Sequence, residues 1–129
     1  MIKTCLIVDD DQDEQEIFLM TVAKINKDIK CFTSNNGIEA LILLQSKQFI
    51  PDYIFLDVNM PKMSGIECLK AIKNLPHLNS SKVFMYSTAL ESTTLKQSKE
   101  LGALDFIIKP ASLSALKETL SAVLEKYSK

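Results

Sequence analysis

Apolar and polar positions alternate on two scales along this chain. Short, almost continuous apolar runs at 4–8, 53–56, 83–86 and 106–108 are separated by longer stretches in which apolar residues return every three or four positions. Runs this short, without regular alternation, read as strands buried on both faces of a sheet. A further run, 29–33, alternates more and carries Lys30, which predicts an edge strand. Between the strands, Asp13 with Glu16 fits a capping box opening a helix whose Phe18, Val22 and Ile25 share one side. Asn36-Gly37 turns into a helix expected to direct Ile38, Leu41 and Ile42 inward, and Pro51-Asp52 ends that connection. After a loop at 60–64, Gly65, Ile66, Leu69 and Ile72 mark a third helix that stops near Asn74, ahead of Pro76. The segment 91–101 offers only Leu95 and Leu101 as strong inward positions, so its helix is expected to be thinly packed and mobile, with Gly102 as its cap. Leu113, Leu116, Leu120, Val123 and Leu124 give an amphipathic last helix. Five strand–helix units without repeat or linker predict one α/β domain over 1–129, a doubly wound, mostly parallel sheet.

In such a sheet the carboxyl ends of the strands line a crevice where ligands bind, so the residues that end the strands matter most. The first strand delivers Asp9-Asp10-Asp11, the third Asp57, the fourth Ser87 and Thr88, and the fifth Lys109-Pro110. Carboxylates, an ammonium and a hydroxyl converging on one place suit a divalent cation together with a phosphoryl group. Asp11 and Asp13 read better as turn formers or helix caps. For Asp9 and Asp10 that reading is weaker, because two like charges about 4 Å apart repel by roughly 4 kcal/mol at an effective dielectric near 20, and Asp57 adds a third. Magnesium, which takes few carboxylates, several waters and a phosphate oxygen, is the expected cofactor. Only one of Ser87 and Thr88 can point into the crevice. The isomer of the Lys109–Pro110 bond is left open.

Composition narrows the function further. With 129 residues the chain can bury a core without disulfides or structural metal. A net charge of −1, from 15 basic and 16 acidic residues, gives no basic face for nucleic acid or an anionic membrane. Every basic residue is lysine, so bidentate guanidinium recognition is excluded. Cys5, Cys31 and Cys68 form no C-x-x-C pair and read as buried free thiols in a reducing compartment. No signal peptide and no apolar run long enough to span a bilayer is present, which leads to the expectation of a cytoplasmic protein.

The motifs Val8-Asp9-Asp10, Leu56-Asp57-Val58-Asn59-Met60-Pro61 followed by Gly65, a strand-end Ser/Thr, Gly102-Ala103 and Lys109-Pro110 occur in one order. In that order the chain resembles, over essentially its whole length, the receiver domains of two-component response regulators. The resemblance implies a flavodoxin-like sheet of order 2-1-3-4-5. It also implies that Asp57 is the phosphoacceptor, taking a phosphoryl group from a sensor histidine kinase or a histidine phosphotransfer protein. Asp10, Asp57 and the backbone carbonyl of Asn59 resemble the direct magnesium ligands, with Asp9 acting through metal-bound water. Lys109 resembles the residue that contacts the phosphoryl oxygens. Ser87 and Phe106 match the switch hydroxyl and the aromatic residue that turns inward with it.

Several positions depart from the common pattern. Thr88-Ala89 looks like the family's frequent Thr-Ala pair and makes Thr88 an alternative switch residue, although the ungapped distances to Gly102 and Lys109 favour Ser87. Phe106 lacks a phenol, and Ala111 stands where a phenylalanine is frequent. Because the sequence stops soon after the last helix, a stand-alone receiver is expected, one that promotes only its own phosphorylation and dephosphorylation and signals by binding an output protein. Two rivals remain: a phosphatase of the haloacid dehalogenase type using Asp9 and Asp11, and a degenerate receiver serving only as a docking module.

Overall fold

The computed structural model describes residues 2–89 and 91–128. Five strands, β1 Lys3–Val8, β2 Ile29–Ser34, β3 Tyr53–Asp57, β4 Lys82–Ser87 and β5 Asp105–Ile108, alternate with five helices, α1 Gln12–Ile25, α2 Gly37–Leu44, α3 Gly65–Lys73, α4 Ser92–Glu100 and α5 Leu113–Lys126. All strand pairs are parallel and the order is β2-β1-β3-β4-β5, the predicted flavodoxin-like arrangement with β2 at an edge. A short 3₁₀ turn, Pro76–Leu78, leads into β4.

The central strands are apolar on both faces because both are covered. Ile7, Phe55, Phe84 and Tyr86 join Phe18 and Val22 of α1 and Leu116, Leu120 and Leu124 of α5 in one cluster. Leu6, Val8, Leu56 and Met85 join Ala40 and Leu44 of α2 and Leu69 and Ile72 of α3 in the other. On the first face Phe18 meets Phe55 edge-on at 5.0 Å, and Phe55 stacks on Phe84 at 4.9 Å, geometries that add to the area they bury.

Three sequence expectations are corrected. Helix α1 opens at Asp11, not Asp13: the Asp11 carboxylate accepts from the amides of Asp13 and Glu14. Helix α2 presents Gly37, Ala40 and Leu44 to the core and leaves Ile38 and Ile42 exposed. A Cβ on Gly37 would lie 2.9 Å from the Met63 sulfur, so α2 comes close to its neighbours through small residues and turns its large ones outward. Leu113, at the start of α5, is also exposed. Other expectations hold: α4 buries only Ser98 fully, with Leu95 and Leu101 half-buried. Gly102, at φ +98°, ends α4 in a Schellman arrangement in which the Ala103 amide donates to the Ser98 carbonyl.

Cys5 and Cys31, which looked unrelated in the sequence, are register partners across β1 and β2. Both are free thiols, and Cys31 is only half-buried. Burial pushes the Cys5 thiol up, while the neighbouring Cys5 thiol holds Cys31 below its ordinary value.

Candidate functional site

Register brings the predicted residues to one edge of the sheet. Val8 pairs with Leu56, Asp57 with Tyr86 and Ser87 with Ile108, so Asp9 and Asp57 leave their strands side by side, with Ser87 one residue and Lys109 two residues further along the same end of the sheet. Carboxylate oxygens of Asp9, Asp10 and Asp57 lie within 4.8 Å of one another; Asp9 and Asp57 are buried and Asp10 is exposed. Three acids this close, one open to solvent, form an oxygen-rich set that fits a hard divalent cation retaining some of its water.

Asp9 is held from several sides. One carboxylate oxygen accepts from the Asp11 amide at 3.0 Å and the other from Lys109 Nζ at 3.0 Å. Its carbonyl accepts from Gln15 Nε2 at 2.7 Å, and the same amide group reaches Asn35 Oδ1 at 2.9 Å, which ties the end of β1 to the end of β2. Asp57 accepts from the Asn59 amide at 3.2 Å. Burial raises the Asp57 carboxyl to about 7, and the charges of Asp9 and Asp10 add to that effect, while Lys109 and the Asn59 amide oppose it.

Lys109 crosses from β5 to the acids of β1 and β3. Its ammonium bonds Asp9, stands 3.6 Å from Asp57 Oδ2, and lies 5.0 Å from the centre of the Tyr86 ring. A further partner is Glu14, whose carboxylate also accepts from it. Burial works against the lysine's charge, but the bonds to Glu14 and Asp9 and the charge of Asp57 outweigh it and lift its pKa. Glu14 was not foreseen; it sits 95 residues from Lys109, and no local pattern marks that pairing. The Glu14 carboxyl is itself raised, first by burial and then by Asp9, against the pull of Lys109. The Lys109–Pro110 bond is trans.

The loop after β3 is shaped by two residues. Gly65 opens α3 so near β3 that a Cβ would lie 2.4 Å from the Asp57 carbonyl oxygen and 2.9 Å from Val58 Cα. Lys62 takes the left-handed conformation, φ 69°, uncommon outside glycine. Ser64 closes the loop as a capping box with Glu67, a Ser-x-x-Glu signal legible in the sequence.

The two hydroxyls separate clearly. Ser87 ends β4, is 1% exposed, and its oxygen accepts from the Ala89 amide at 3.3 Å. The Lys109 amide donates to the Ser87 carbonyl at 2.7 Å, which couples the two strand ends. Thr88 lies beyond the strand and is exposed. Phe106 is half-buried against the cluster beneath α2 and α3.

Known proteins are similar to this chain in sequence and in fold. The chain is 34% identical over 125 residues to the probable C4-dicarboxylate response regulator DctR of Bacillus subtilis (strain 168), covering 95% of this chain and 50% of that protein. It spans about half the length of the first curated relatives it matches. Among solved structures, the chemotaxis protein CheY4 of Vibrio cholerae superposes with a TM-score of 0.85 at 27% identity, over 98% of this chain and 99% of that one. The phosphorylated cyanobacterial phytochrome response regulator RcpA superposes at 0.90 and 28% identity, over 100% and 96%. The profile of the response regulator receiver domain matches residues 5–121, and the chain therefore belongs to that family of two-component signalling domains.

Proposed function

We propose that this chain is a phosphoacceptor in a cytoplasmic two-component relay, with Asp57 as its sole phosphorylation site. The observation that carries the reading is the reach of Lys109 from β5 to Asp9 and Asp57, the two buried members of the acid trio. A carboxylate oxygen of Asp57 attacks the phosphorus of a phosphohistidine on a sensor histidine kinase or phosphotransfer protein. The P–O bond forms as the P–N bond breaks, and the imidazole nitrogen keeps the electron pair and takes up a proton. Lys109 donates to the phosphoryl oxygens and offsets their charge. Asp9, Asp10, Asp57 and the Asn59 carbonyl are the groups that would hold Mg2+, which when bound neutralises negative charge between carboxylate and phosphoryl group. RcpA, similar over its whole fold, has been solved phosphorylated, which supports the same chemistry here.

The phosphatase alternative is disfavoured because the Asp11 carboxylate already caps α1 through the amides of Asp13 and Glu14. Asp10 and Asp11 therefore differ in role although they adjoin. Asp10→Ala is expected to weaken Mg2+ binding about tenfold or more, whereas Asp11→Ala destabilises the fold by about 1 kcal/mol and leaves metal affinity within about twofold. Calorimetric titration with Mg2+ checks this; equal losses would reject the assignment.

The switch rests on Ser87 and on the thin packing of α4. As the Ser87 hydroxyl moves to donate to a phosphoryl oxygen, Phe106 turns into the space beneath α4, where few apolar contacts resist it. The output face is then α4, β5 and α5, and phosphorylation acts by shifting a population between two states. Hydrogen exchange with and without beryllofluoride is expected to change most on that face. Ser87→Ala should suppress the change and Thr88→Ala preserve it; a response confined to α1, or a larger loss from Thr88→Ala, contradicts the mechanism.

A further inference from the structure

Glu14 lies outside the acid trio, yet it makes the shorter of the two hydrogen bonds that Lys109 donates to carboxylates. An ammonium has three N–H groups. Here one goes to Asp9 at 3.0 Å and one to Glu14, while Asp57 stands at 3.6 Å, inside ion-pair range but beyond a hydrogen bond. The Glu14 side chain is 36% exposed, so it is free to let go. Its backbone is not: Glu14 sits in the first turn of α1, where its amide donates to the Asp11 cap at 3.3 Å. The carboxylate thus projects from a fixed point beside the lysine that the proposed reaction needs elsewhere.

We propose that Glu14 is a positioning residue that holds the Lys109 ammonium away from Asp57 in the unphosphorylated protein and yields it to the phosphoryl oxygens when they arrive. The proposal rests on the phosphoacceptor reading above. Two consequences follow from charge alone. Without the Glu14 charge, Lys109 keeps only Asp9 and Asp57 as carboxylate partners among the described residues and moves toward Asp57, where it competes with a cation for that carboxylate. The same step removes a negative charge that competes with phosphoryl oxygens for the lysine. Cation affinity and phosphoryl affinity should therefore move in opposite directions, which a general loosening of the site would not produce.

The test is calorimetry on wild type and Glu14→Gln, first with Mg2+ alone and then with beryllofluoride at saturating Mg2+. Glu14→Gln is expected to bind Mg2+ about threefold more weakly and beryllofluoride about threefold to fivefold more tightly. Those factors match what a partly exposed ion pair contributes. Glu14→Asp, with the charge kept on a shorter arm, should fall between the two. Thermal melting of each protein shows that the fold is intact. Unchanged or weaker beryllofluoride binding in Glu14→Gln, with normal binding in wild type, overturns the proposal. Absence of Mg2+-dependent beryllofluoride binding in wild type overturns the phosphoacceptor reading instead.

Discussion

Asp57→Asn is expected to abolish Mg2+-dependent labelling by a small phosphodonor and, in metal-free solution, to make the protein more stable. The first effect follows from the loss of the nucleophilic oxygen at the only carboxylate that ends β3 beside Asp9, Asp10 and Lys109. The second follows from burial. Asp57 is 6% exposed, and its carboxyl is raised from an ordinary 3.8 to about 7. Between those values the folded protein holds a proton that the unfolded chain releases, so stability falls as pH rises through that window and this cost is complete above it. The interval corresponds to at most about 4 kcal/mol. That interval already includes the attraction to Lys109, but the amide that replaces the carboxylate keeps a desolvation cost of its own, so a net gain of about 2 kcal/mol at pH 8 is expected. Well below the ordinary value of 3.8 the gain should vanish, because wild-type Asp57 is then neutral in both states. Chemical denaturation across that pH range, with mapping of the labelled residue, checks both parts. Undiminished labelling, or a variant less stable than wild type at pH 8 without metal, would refute the account.

The second large effect is expected at Gly65. A Cβ there would lie 2.4 Å from the carbonyl oxygen of Asp57 and 2.9 Å from Val58 Cα. Both are backbone atoms at the end of a buried strand, so no side chain can swing aside to relieve the clash. Any shift of α3 also strains the bond from the Gly65 amide to the Val58 carbonyl, 2.9 Å long. Gly65→Ala should therefore cost about 3 kcal/mol and lower the melting temperature by about 10 °C. Labelling of Asp57 should fall at least tenfold at a temperature where the variant is still folded, because the displaced backbone carries the phosphoacceptor itself. A melting temperature within 2 °C of wild type and normal labelling would show that the loop accommodates the methyl group.

The sequence alone carried the strand–helix alternation, the order in which acids, hydroxyl and lysine end the strands, and the edge position of β2. These are short-range signals: an apolar run or a helical period is written in neighbouring residues, and strand ends follow once the strands are known. The Gly102 cap and the thin packing of α4 were equally local. Other features depended on what each surface meets. The inward face of α2 went to Gly37 and Ala40 rather than Ile38 and Ile42, because close approach to Met63 selects small residues and hydrophobicity alone does not report that distance. Cys5 became the partner of Cys31 only through the register of β1 on β2. The separation of buried Ser87 from exposed Thr88 came from where β4 ends. Glu14 met Lys109 only because α1 and the end of β5 converge on one crevice, and an ion pair between residues 95 apart leaves no trace in the local pattern of either.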